Sequence, residues 1–99
     1  RFPYGASTPT AITTVNAAGY AAIGWTVDTL GWQGTTEGRS VASVVARVLD
    51  AARPGEIVLM HVGAHPEDGS TLDADALPSV IAELRAAGYR FVTLDAVLG

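Results

Sequence analysis

Three times along this 99-residue chain an amphipathic stretch runs into a glycine, and a short apolar run follows. Ile12, Val15 and Ala18 lead to Gly19 and the run from Tyr20 to Val27. Val41, Val44, Val45, Val48 and Leu49, spaced i, i+3, i+4, i+7 and i+8 behind Ser40, lead through Arg53-Pro54-Gly55 to Glu56–His61. Leu77, Val80, Ile81 and Leu84 lead to Gly88 and Arg90–Leu94. Ala17-Ala18-Gly19-Tyr20 even recurs as Ala86-Ala87-Gly88-Tyr89. Helices alternating with strands predict an α/β fold of parallel strands joined by right-handed crossovers. Such strands open their C-terminal ends on one side. That side would gather Asp28, His61 and Asp95, with Arg1–Gly5 just ahead of the first helix.

Within this frame the stretch Glu56-Ile57-Val58-Leu59-Met60-His61 stands out. It reads as a strand buried on both faces, and a histidine replaces the next hydrophobe where the strand emerges. Strand ends are where parallel α/β proteins place their chemistry. A structural histidine bonded to a neighbouring loop is the alternative, and the shared face of three strand ends favours function. Asp28 and His61 are suited to pair, the carboxylate fixing the imidazole tautomer and supporting the imidazolium of a general acid. Asp28 as a loop cap is the competing reading. Trp25 reads as core within its strand, whereas Trp32, in the loop from Thr29 to Gly38, reads as a pocket wall.

Two other constellations are weaker. His61 and His65 are four apart, but Gly63 and Pro66 make their segment a loop rather than the helix that would bring both onto one metal. Ser7 lies at the turn into the first helix, where Pro9 stands in place of the second glycine of a nucleophile elbow, so Ser7 reads as part of a helix cap. Thr8 before Pro9 is the N-cap signal itself.

Composition narrows the partners. Six arginines, no lysine and a net charge of −4 leave no basic cluster for nucleic acid. Without cysteine there is neither a disulfide nor a thiolate metal site. No apolar run has transmembrane length, and Arg1 begins no signal peptide. With 48% hydrophobic and 16% charged residues, the chain has more interior than a small free-standing domain uses. One face is therefore expected to be covered by more protein.

Three short motifs give a family resemblance over the full chain. Arg1-Phe2-Pro3-Tyr4-Gly5 resembles the Arg-x-Pro-Tyr-Gly motif of polysaccharide deacetylases with a NodB-homology domain (carbohydrate esterase family 4). Trp25-Thr26-Val27-Asp28-Thr29-Leu30-Gly31-Trp32 resembles their Asp-x-x-Asp-Trp motif, and Leu59-Met60-His61 their Leu-x-His motif. The resemblance implies the C-terminal half of a distorted (β/α) barrel, residues 1–99 forming a single partial domain. It also implies hydrolysis of N- or O-acetyl groups on a glycan, with a divalent, zinc-type metal in the complete enzyme. By this resemblance His61 is the general acid, Asp28 supports it, and Arg1 orients the catalytic base. The backbone N–H of Tyr4 helps hold the oxyanion, and Leu59 and Trp32 line the pocket for the acetyl methyl.

The departures shape the expectation. Gly31 replaces the second aspartate of Asp-x-x-Asp-Trp. No Thr-x-Asp-Asp segment and no His-x-x-x-His helix is present, so general base and metal ligands are absent from these residues. The expected protein is thus an acid-bearing partial barrel, inactive alone and completed by an N-terminal half or a second copy. A secreted or cell-surface location follows from the resemblance only. The rival readings are a non-catalytic α/β module that binds glycan or self-associates, and a serine esterase built on Ser7, His61 and Asp28.

Overall fold

A computed structural model describes residues 1–98. Helix α1 (Pro9–Ala17) is followed by strand β1 (Val27–Asp28), two 3-10 turns at Gly31–Gln33 and Thr35–Glu37, helix α2 (Val41–Asp50) and strand β2 (Val58–Leu59). Helix α3 (Leu72–Ala86) and a short helix α4 (Leu94–Leu98) complete the order. The strands pair in parallel, Val27 with Val58 and Asp28 with Leu59. The expected α/β class with parallel pairing is present.

Local chemistry explains the helix ends. The Thr8 hydroxyl accepts the Ala11 N–H at 3.0 Å, with Pro9 at the first helical position, so Thr8 rather than Ser7 caps α1. Ser40 and Ser43 form a reciprocal capping box at α2. The repeated Ala-Ala-Gly-Tyr proves to be a repeated helix stop. Gly19 and Gly88 lie at φ 89° and 94°. The following Tyr20 and Tyr89 donate back to the carbonyls of Val15 and Leu84, both at 3.0 Å. Gly19 and Gly88 bond to Asn16 and Arg85, which completes a Schellman stop twice. Glycine is needed there because a side chain disfavours the left-handed conformation.

The core lies between α2 and α3. Val44 and Val48 are fully buried against Leu72, Ala76, Val80 and Leu84. Each such valine or leucine contributes roughly 1.5–3 kcal/mol when fully removed from water. Val41, Val45, Leu49, Val58 and Met60 pack at its margin. The buried face of α3 differs from the sequence expectation. It runs Leu72–Ala76–Val80–Leu84, while Leu77 is exposed and Ile81 half-buried. Helix α3 packs chiefly on α2, and one neighbouring helix covers this single i, i+4 row.

The strands are much shorter than expected. Of Tyr20–Val27, only Thr26 and Val27 reach the partner: both N–H groups donate to the Ile57 carbonyl, and the Thr26 hydroxyl exchanges bonds with Ile57. Glu56–His61 carries two ladder residues that are half-buried rather than covered on both faces, because β2 has a single neighbour. Arg90–Leu94 forms no strand: residues 90–93 are exposed with no ladder partner, and Leu94 opens α4. Asp95 therefore lies in a helix rather than at a third strand end. Helix α2 stops at Asp50, three residues before Arg53.

Candidate active site

Asp28 is the last residue of β1, and His61 lies two residues beyond β2. Parallel pairing of Asp28 with Leu59 sends both side chains out at the same end of the sheet. His61 Nε2 and Asp28 Oδ1 stand 2.8 Å apart, each side chain about a quarter exposed. The same Asp28 oxygen accepts the Leu30 N–H at 2.9 Å. Asp28 thus contacts both the histidine and the loop that follows β1. Leu30 sits at φ 59°, a conformation costly for a branched side chain, and the Asp28 bond ties down that turn. Arg47, reaching from α2, donates its Nε–H to the Asp28 carbonyl at 2.9 Å.

Trp32 stands over the pair. Its ring lies edge-on to His61, with centroids 6.5 Å apart and planes at 66°, and it is more than half exposed. Leu59 is half-buried, and its carbonyl accepts the Thr29 N–H at 3.2 Å. With Nε2 turned to Asp28, the imidazole presents Nδ1 for exchange of a proton.

The structure does not gather every candidate. Arg1 and Tyr4 are exposed, and Tyr4 sits at φ 57° within the Pro3–Gly5 turn. Their segment packs on Trp25: an added Cβ at Gly5 would lie 2.9 Å from the Trp25 Cη2 atom. Trp25 is consequently a half-buried flank residue rather than core. Ser7 lines a cavity of about 370 Å³ with Phe2, Ile12, Ile23 and Trp25, and no hydrogen bond joins it to His61 among the described residues. His65 turns inward to its own loop, its Nδ1 accepting the N–H groups of Glu67 and Asp68. Among the described residues no three His, Asp or Glu side chains group as a metal site. The residues present therefore do not fit the metal that the resemblance implies.

Asp73, in the first turn of α3, is a site residue that the sequence reading missed. Its side chain is buried, and Oδ2 accepts both the backbone N–H of His61 and the Thr29 hydroxyl, the latter at 2.9 Å. Thr29, itself fully buried, accepts the Gly31 N–H at 3.2 Å. The other oxygen, Oδ1, is buried without a hydrogen-bond partner. Orphaning a buried acceptor costs about 1–3 kcal/mol. A signal existed: Asp73 stands three residues before Ala76 and seven before Val80, a polar residue on an apolar row.

No family model matches the chain. Relatives are nonetheless found over most of its length. It is 40% identical to a chitooligosaccharide deacetylase of Bradyrhizobium sp. (strain ANU 289) across 96% of this chain and 41% of that protein. It is 32% identical to another from Azorhizobium caulinodans, across 90% of this chain and 44% of the relative. A peptidoglycan-N-acetylglucosamine deacetylase of Bacillus cereus is 32% identical over 98% of this chain and 33% of its own length. The chain thus spans less than half of these relatives. A solved structure of a CE4 family pseudoenzyme from Bacillus anthracis superposes with a TM-score of 0.72 and 28% identity, covering 89% of this chain and 27% of that one.

Proposed function

We propose that this chain, homologous over most of its length to polysaccharide deacetylases of the CE4 type, is the acid-bearing C-terminal part of a glycan deacetylase. The observation that carries the proposal is the His61–Asp28 pair at the shared end of two parallel strands. Hydrolysis of an acetyl ester or amide passes through a tetrahedral intermediate. When that intermediate collapses, the C–N or C–O bond breaks and the leaving nitrogen or oxygen needs a proton. His61 would give it from Nδ1, while Asp28 at Nε2 fixes the ring and stabilises its protonated form. Trp32 and Leu59 would line the acetyl methyl pocket. Arg1 and Tyr4 would join the site as orienter and oxyanion donor only with their segment seated across it.

A metal would polarise the acetyl carbonyl and activate water in the complete enzyme. Its ligands and the general base would come from outside these residues. The surface supports such a companion. The chain exposes 6772 Å², against about 5,300 Å² for a compact folded protein of this mass. Its radius of gyration is 15.2 Å, where roughly 13 Å is usual at this length. Helix α1 buries no residue, and Tyr20, Phe91, Val92 and Val97 are exposed on the flanks. The excess, about 1,500 Å², is larger than one side of a standard protein interface (about 800 Å²) and falls in the range of obligate ones. An N-terminal barrel half fits that area; a second copy is the alternative cover.

The substrate would be an acetylated glycan, and a secreted or surface location would suit it. Among the described residues no helix is long and apolar enough to cross a membrane. The pseudoenzyme neighbour and Gly31 favour one second reading, a non-catalytic module that binds glycan. Acetate release from an acetylated chito-oligosaccharide separates the two. The test mixes this chain with a polypeptide carrying the missing motifs and a divalent metal. Release that disappears in His61→Ala supports the enzyme; glycan binding without release supports the module.

A further inference from the structure

The residue that departs from the motif, Gly31, and the residue the motifs do not mention, Asp73, meet face to face. A Cβ built on Gly31 would collide with Asp73 Oδ1 and lie 2.7 Å from Asp73 Cγ. The volume that a side chain at 31 would enter is filled by the carboxyl group of Asp73, delivered from α3. Backbone strain does not explain this glycine, since Gly31 is not among the positive-φ residues. What requires glycine is the space.

We propose that Asp73 is the positioning residue of the His61 strand end, and that its carboxyl group replaces, from α3, the one absent at position 31. Oδ2 joins three elements: the His61 backbone beyond β2, the Thr29 hydroxyl beyond β1, and α3 itself. Through Thr29 it also fixes the Gly31 N–H, one residue from Trp32. These bonds set how far His61 stands from Asp28, so Asp73 acts through the backbone and touches no substrate. A carboxyl group on α3 and a side chain at position 31 exclude each other, and the pair is a matched exchange. The positioning role of Asp73 rests on His61 as the proton donor; the geometric exchange does not.

The test is a double-mutant cycle on this chain with Gly31→Ala, Asp73→Ala and both, read by urea unfolding and by NMR of His61. Gly31→Ala should unfold at clearly lower urea, and adding Asp73→Ala should cost less than the two single losses combined, because the collision is gone. In Asp73→Ala the His61 amide should exchange at least tenfold faster. The imidazole, held as the Nε2–H tautomer by Asp28, should become a mixture. Asp73→Asn keeps an acceptor oxygen and should restore amide exchange to within about threefold of the parent, which guards against a variant that simply unfolds. Strict additivity of the Gly31 and Asp73 losses would overturn the matched exchange. Parent-like exchange and tautomer at His61 in Asp73→Ala would overturn the positioning role. Neither readout depends on deacetylation, so failure of the activity proposal would leave this one standing or falling separately.

Discussion

The centre of the molecule and its flanks follow different rules. Between α2 and α3, buried valines and leucines meet a capped helix and a two-stranded parallel ladder, and the strand-end side chains of Asp28 and His61 are hydrogen-bonded to each other. On the flanks the same kinds of residue lie open: α1 buries nothing, and Phe91, Val92 and Val97 face outward. Apolar composition is alike in both regions, so composition does not separate them. The number of neighbours does. Tyr20–Gly24 and Arg90–Thr93 have strand-like sequence and no ladder beside them, which is the state of a sheet edge awaiting cover.

That contrast can be broken by measurement. The largest effect should come from the centre: Leu84→Ala removes a buried side chain from the core row and should cost about 2–5 kcal/mol in urea unfolding. Val97→Ala, on the open flank, should stay within about 0.5 kcal/mol. Equal losses would remove the distinction between the regions. In the complete enzyme, Asp28→Asn should lower kcat about a hundredfold or more by loosening the imidazole, with little change in KM. Hydrogen exchange supplies a sharper version: residues 20–25 and 90–93 should gain protection when the companion polypeptide is added, while Val44 and Val48 should not change. Protection of the flanks in the chain alone would contradict the open-edge description.

The smallest effect concerns pH. Hydrogen bonds from Ser70, with others from Thr36, hold the Asp68 carboxyl well below the usual carboxylate range. An acid depressed in the folded state lends stability that is present above its unfolded value and lost as pH falls toward the folded one. Asp68→Asn should therefore be less stable than the parent at pH 7, and the gap should narrow below about pH 4. A gap that widens in acid would reverse the sign assigned to Asp68.

How much of this was legible in the sequence depended on whether the signal was local. The caps at Thr8 and Ser40, the glycine stops at Gly19 and Gly88, and the stripe of α2 are each decided within one helical turn, and they could be read directly. The proximity of Asp28 and His61 needed only the parallel rule and two strand ends. The third strand could not be read correctly, because Arg90–Leu94 has a strand's composition and a strand also needs a neighbour. Asp73 was hidden for the opposite reason. In sequence it is only an acid in the first turn of a helix, at helical spacing from Ala76 and Val80; its meaning comes from Gly31, forty-two residues earlier, whose missing side chain makes room for it. Gly31 was visible only as a departure, and the packing partner that explains it lies on another element.

The central claim is that His61, held by Asp28, donates the proton that releases the deacetylated glycan. Acetate release from an acetylated chito-oligosaccharide should be followed with the parent chain and with His61→Ala, each joined to the metal-bearing half. The parent should turn over and the variant should lose about a hundredfold or more, with glycan binding retained. Turnover in His61→Ala equal to the parent would contradict it.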